Sequence, residues 1–274
     1  MEHILTPLQA KLLDELRWFD GFCREHNLRY YAIGGTILGA MRHEGFIPWD
    51  DDIDLGMPRA DYEKLKEYEG AVFGHYTIET YSSEKKDYCY PASKVFDTNT
   101  TLIEHKRTNV ARGVFIDIFP LDGVGDDLEK AKQNYRKIAR LYRYFLTVVA
   151  AVRKGRSLKK NFAVIVCHCI PSFIQNQRDI RIKLNKLCSE FDFDKSRYGG
   201  NLLGAYFDRE IIPLELFGTP KEYQFEDFRI FGPQYADEYL KRIYKDWRKL
   251  PPKEKQVSHH DFVELDLNKP YITV

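Results

Sequence analysis

The stretch that most constrains this chain is Asp50-Asp51-Asp52-Ile53-Asp54-Leu55. In a β-strand successive side chains point to opposite faces. Read as a strand, residues 52–57 send Asp52 and Asp54 to one face and Ile53 and Leu55 to the core. Two carboxylates so close repel unless a cation sits between them. Hard divalent cations such as Mg²⁺ or Mn²⁺ take oxygen ligands of this kind. A solvated acidic loop does not require this strict alternation. A calcium-binding EF-hand is excluded by position, because Leu55 stands where that loop needs Gly and Asp61 where it needs Glu.

A second strand is predicted over residues 114–119, bounded by Gly113 and Pro120, with Asp117 alone in an apolar run. A buried carboxylate needs a partner. If this strand lies beside the first, Asp117 joins Asp52 and Asp54 in a three-carboxylate cluster. Such a cluster can hold one or two metals for in-line displacement at phosphorus. The alternative is a cap or a salt bridge to Arg42 or Arg112. Upstream, Ile33-Gly34-Gly35-Thr36 runs from a strand into a helix start. Glycines admit a phosphate close to the backbone, and helix N-termini favour anions. Arg42 and Lys94 are candidate phosphate-binding cations, with an exposed salt bridge as the alternative. Trp49, Tyr31 and Tyr62 lie near these motifs in sequence, with core packing as the default reading.

Hydrophobic periodicity orders the rest. Thr6, Pro7 and Gln9 fit a capping box, and Leu8, Leu12, Leu16, Phe19 and Cys23 recur at helical spacing as far as Asn27. Residues 28–33 read as a strand, 36–43 as a helix with Thr36 as its N-cap, and 58–68 as a helix with Tyr62 and Leu65 inward. Residues 76–81, 92–96 and 101–105 read as short strands. Residues 127–151 are helical, and 234–247 carry Ala236, Leu240, Ile243 and Trp247 on one stripe. The chain is thus α+β. A soft boundary near residue 125 divides a core of strands and helices (1–125) from a mostly helical part (126–274) that packs on it and need not fold alone.

The charge balance narrows the partners. Lysine and arginine number 42 against 41 acidic residues, a net charge of +1, which argues against bulk electrostatic binding of nucleic acid. The five cysteines show no Cys-x-x-Cys pair and no zinc spacing, as expected of reduced thiols in a cytoplasmic protein. No secretory signal is visible, and no run of 18 apolar residues occurs. The nearest candidate, residues 162–174, contains His168 and Pro171. Lys154, Arg156, Lys159 and Lys160 precede it, and Arg178 and Arg181 follow. Its short length favours a buried core helix or a lid. Peripheral contact at the inner face of a membrane is the alternative.

These residues together resemble the LicD family. Its opening block is matched by Gly34-Gly35-Thr36, Leu38-Gly39-Ala40 and Arg42-His43-Glu44-Gly45-Phe46-Ile47-Pro48-Trp49-Asp50-Asp51-Asp52-Ile53-Asp54. Phe115-Ile116-Asp117-Ile118-Phe119-Pro120-Leu121-Asp122 matches its next block. Phe225-Glu226-Asp227, Tyr244-Lys245-Asp246-Trp247, Pro251-Pro252-Lys253-Glu254-Lys255 and His259-His260 resemble its later blocks. One departure is Lys245, where relatives often carry Gly. The resemblance implies a nucleotidyltransferase-like mixed sheet with flanking helices. It implies transfer of phosphocholine, or a related phospho-alcohol, from CDP-choline or another CDP-alcohol to a sugar hydroxyl of a cell-surface glycan, releasing CMP. It makes Asp52 and Asp54 the metal ligands and Asp117 a third ligand or a proton acceptor. His259 and His260 are left between substrate contact, metal ligation and a structural or lid role, the last favoured. Fold likeness leaves the substrate open. Two other readings are a nucleotidyltransferase acting on a small molecule and a non-catalytic glycan- or nucleotide-binding protein.

Overall fold

The computed structural model describes residues 4–171, 175–258, 260 and 262–271. Helix α1 (Pro7–Glu25) starts on the expected capping box. Gln9 N donates to Thr6 Oγ1 at 3.1 Å and Thr6 N donates to Gln9 Oε1 at 3.0 Å. Leu12, Leu16, Phe19 and Cys23 are buried along its inner face. Gln9, itself buried, also donates to Asp50 O at 2.9 Å and so fastens the acidic loop to α1.

Strand β1 (Tyr31–Ala32) leads into α2 (Gly34–His43), β2 (Asp54–Pro58) and α3 (Arg59–Lys64), which tightens into a 3-10 turn (Leu65–Tyr68). Tyr62 and Leu65 are buried, as expected. Short strands β3 (Val72–Phe73), β4 (Tyr76–Glu79), β5 (Ser93–Asp97), β6 (Thr101–Glu104) and β7 (Ala111–Arg112) precede the long β8 (Phe115–Gly125). Helices α4 (Leu128–Val149), α5 (Leu158–His168) and α6 (Gln177–Cys188) follow. Then come β9 (Tyr198–Gly200), β10 (Ile212–Pro213), the hairpin β11 (Lys221–Phe225) and β12 (Phe228–Gly232), α7 (Ala236–Tyr244) and β13 (Phe262–Asp266).

The main sheet runs β1-β2-β8-β5-β4-β3, parallel between β2 and β8 and antiparallel elsewhere along that path. The α+β class with a mixed sheet therefore holds. Ile53, Leu55, Ile116 and Ile118 are fully buried in the main core. A second cluster joins the end of β8 to α4 and α6 through Val124, Ala131, Tyr135, Ile138 and Leu184. Residues beyond 125 also return strands to the earlier part, since β9 pairs with β8 and β13 with β6.

Several boundaries differ from the sequence reading, each for a local reason. Strand β2 begins at Asp54, so Asp52 lies in the loop before it. Strand β1 has only two residues, set opposite Gly56 and Leu55. Helix α2 begins at Gly34 with Ile33 as its N-cap, and Thr36 caps nothing; its Oγ1 instead accepts from Asp54 N at 2.8 Å. Strand β8 continues through Pro120. Asp117 N donates to Ile53 O on the β2 side at 2.9 Å, and alternation turns the nitrogen of Pro120 to the β5 side. There β5 pairs no further than Ile118, so the proline removes no ladder bond. Finally, α5 is not a buried core helix. Val164 and Cys167 face inward, while Leu158, Phe162, Ile165 and Val166 are exposed.

Candidate active site

A cavity of about 630 Å³ collects the acidic motif, the start of α2 and residues from the second half of the chain. Gly34, Gly35, Asp50, Asp52 and Asp54 line one part of it. Tyr142 and Leu146 of α4, Tyr206, Glu210, Tyr244 and His260 contribute to the rest.

The parallel register places Asp54 directly beside Asp117, which is the adjacency the two motifs require. Carboxylate oxygens of Asp50, Asp51 and Asp52 lie within 4.8 Å of one another. Such crowding disfavours full ionisation. Burial and the neighbouring Asp52 push Asp50 up to about 8. Burial, then Asp52, Asp117 and Asp50, push Asp54 well above the usual carboxylate range. Asp52 is raised chiefly by burial, against the pull of His260. Asp51 goes the other way. Burial alone would raise it, but hydrogen bonds from His260 and Ser258 outweigh that and hold it low. His260 Nδ1 lies 2.8 Å from Asp51 Oδ1 and its Nε2 3.9 Å from Asp52 Oδ2. The bond to Asp51 raises the imidazole to about 8, against the opposing effect of burial.

The other residues singled out in the sequence divide. A Cβ on Gly35 would lie 2.7 Å from Asp50 Oδ2, and one on Gly34 (φ +54°) 3.2 Å from Asp54 Oδ2. The glycines thus let two carboxylates close against the positive end of α2. Thr36 is buried behind them and bonded to β2. Lys94 is neither exposed nor on the cavity wall. It is buried, with Nζ 2.5 Å from Asp117 Oδ1 and 3.4 Å from the Phe115 ring centroid. It is the partner that Asp117 needed. Arg112 forms an ion pair with Asp87 at 3.0 Å, and Arg42 donates to Trp247 O at 3.0 Å. Arg42 lines a neighbouring cavity of about 480 Å³ with Trp49, Lys249 and Lys255. Trp49 borders both cavities. Tyr31 and Tyr62 are buried, with hydroxyls bonded to Gly218 O and to the Ser93 backbone N–H.

A family model described as LicD/FKTN/FKRP, nucleotidyltransferase domain, matches residues 27–144. The lipopolysaccharide cholinephosphotransferase LicD of Haemophilus influenzae is 30% identical over 263 residues, 93% of this chain and 96% of that protein. This chain belongs to the LicD family. The ribitol 5-phosphate transferase FKRP of Homo sapiens is 38% identical over 63 residues, 23% of this chain and 13% of that protein. An uncharacterized protein of Rickettsia prowazekii, RP689, is 44% identical over 43 residues, 16% of each chain. The family read from the motif blocks is borne out, and with it the expected class of enzyme, a LicD-type phosphotransferase.

The LicD blocks acquire physical reasons in this fold. Glu226 accepts from Phe46 N at 2.8 Å, and Glu226 N donates to Glu44 O at 2.6 Å. The distant Phe225-Glu226-Asp227 block therefore shapes the loop that carries the aspartates. Lys245, the departure from the LicD pattern, takes φ +64° as the chain leaves α7. Sequence reasoning did not assign Asp50 and Asp51 to the cluster, because strand alternation was applied to residues that do not form a strand. It also missed Tyr206 and Glu210, which carry no motif signal. For His260 the sequence leaves substrate contact, metal ligation and a structural or lid role open; the fold sets its ring against Asp51 and near Asp52. His259 lies outside the described residues.

Proposed function

We propose that this LicD-family enzyme transfers phosphocholine, or a related phospho-alcohol, from a CDP-linked donor to a sugar hydroxyl of a cell-surface glycan and releases CMP. The observation that carries this reading is the convergence of Asp50, Asp52 and Asp54 on one cavity at the start of α2. Two relatives support the chemistry by name, one as a cholinephosphotransferase of lipopolysaccharide and one as a ribitol 5-phosphate transferase.

The donor set fits Mg²⁺ or Mn²⁺. It is all carboxylate oxygen, and burial first, then the neighbouring carboxylates, raise Asp50 and Asp54, whose charge a cation would compensate. Asp50, Asp52 and Asp54 would hold the ion, with Asp117 beside them and bonded to Lys94. When bound, such an ion neutralises charge on phosphate oxygens. The protein then does the positioning that phosphoryl transfer demands. The glycines let Asp50 and Asp54 sit against the start of α2, and Tyr142, Tyr206 and Tyr244 wall the cavity in which the donor would lie. The acceptor oxygen forms a new bond to phosphorus while the bond to the CMP oxygen breaks. The acceptor's proton passes to a carboxylate of the cluster.

The test is product analysis. Protein, CDP-choline, Mg²⁺ and a bacterial glycan extract should yield glycan carrying phosphocholine by mass spectrometry. A nucleotide on the product, in place of phosphocholine, would overturn the reading in favour of nucleotidyl transfer.

A further inference from the structure

Exposed lysines and exposed apolar side chains coincide at α5 and the loop before it. Between Glu129 and Asp179 the sequence carries twelve lysines and arginines and no Asp or Glu, in a chain whose net charge is +1. Within this stretch α5 turns an apolar stripe outward. Leu158 is 87% exposed, Phe162 68%, and Ile165 and Val166 49% each. Their spacing of four, three and one residues places them on one helix face. Lys159 and Lys160 are exposed at the same end of α5 as Leu158, and Lys154 is exposed in the loop before it. Val152, in that loop, is also half exposed.

An apolar helix face with lysines exposed at its N-terminal end and in the loop before it is a composition that suits the interface of an anionic bilayer. The opposite face of α5, through Val164 and Cys167, is already buried, so the outward face has no core left to fill. We propose that α5 and its basic approach form a docking surface for an anionic lipid bilayer. Phe162, Ile165 and Leu158 enter the acyl boundary, and Lys154, Lys159 and Lys160 meet lipid phosphates. The surface adjoins the candidate active site, because α5 packs against α4, and Leu146 of α4 is both exposed and part of the cavity wall. A bilayer held there lies beside the cavity, the arrangement that suits an acceptor anchored in lipid.

Co-sedimentation of the full chain with vesicles tests this without any activity readout, so its failure is separable from failure of the transferase reading. Equal parts phosphatidylglycerol and phosphatidylcholine should pellet the wild type at low salt, and pure phosphatidylcholine far less. Phe162→Asp with Ile165→Asp, and separately Lys159→Glu with Lys160→Glu, should each cut partitioning by roughly tenfold or more, with circular dichroism unchanged. Salt should weaken binding as surface charges are screened. No binding to anionic vesicles at low salt, or binding that neither double variant alters, would overturn the proposal. So would sedimentation velocity showing a dimer that Phe162→Asp with Ile165→Asp dissociates while vesicle binding is absent, since a second copy would then be the occupant.

Discussion

Asp54 and Asp117 stand side by side on parallel strands, yet the fold treats them differently: Asp117 is bonded to buried Lys94, whereas Asp54 faces the cavity. Removing one member of a buried ion pair leaves the other uncompensated and costs about 3–5 kcal/mol. Lys94→Met is therefore expected to lower stability by that order, and Asp117→Asn in the same chain to recover much of the loss. Urea unfolding of the four proteins in the cycle checks it. A Lys94→Met midpoint close to wild type would show that the pair carries no such weight.

Gly35 separates stability from activity. A methyl group there meets only the end of the Asp50 side chain, at 2.7 Å, which can swing aside. Alanine also favours a helix over glycine by about 0.5–1 kcal/mol. Gly35→Ala should keep or slightly raise the melting temperature while displacing Asp50, with transfer falling by roughly tenfold or more. Full activity in a well-folded Gly35→Ala protein would argue against a role for Asp50 at the site.

Glu210 gives a pH signature. It is buried on the cavity wall, and burial raises it from its ordinary 4.5 to about 7. Below 4.5 both folded and unfolded forms are protonated and the group costs nothing. As pH rises from 4.5 to 7 the unfolded chain ionises first, so the native state loses stability, by up to about 3 kcal/mol. Glu210→Gln should remove this component. Its advantage over wild type in denaturant titrations should grow across that window and level off above it; a constant difference would contradict the assignment.

Lys245 holds φ +64°, a backbone conformation that favours glycine. A non-glycine residue in such a conformation is strained by about 1–3 kcal/mol, and glycine relieves this at some cost in unfolded-state entropy. Lys245→Gly is expected to raise stability by about 1 kcal/mol. Thermal unfolding that shows a loss would mean the lysine side chain contributes more than its backbone costs.

Much of this was legible in the sequence where a local pattern maps onto a local structure. The Thr6/Gln9 box, the inward stripe of α7 and the strand carrying Asp117 needed no tertiary information. The pairing of Asp117 with Asp54 was also within reach, because an isolated carboxylate in an apolar strand demands an explanation. What was not legible depends on long-range contacts. Lys94 looks like a surface residue until β5 is laid against β8. Asp50 and Asp51 join the cluster because the loop is held by Gln9 and Glu226, residues far away in sequence. The outward face of α5 follows from which side α4 covers, and short apolar runs do not declare that in advance.

The most direct test of the central claim is CMP release from CDP-choline in the presence of Mg²⁺ and glycan extract, with and without EDTA, for wild type, Asp52→Asn and Asp54→Asn. The account predicts release that requires metal and extract and falls by roughly 10²-fold or more in each variant. Release that persists in EDTA, or at wild-type rate in both asparagine variants, would contradict it.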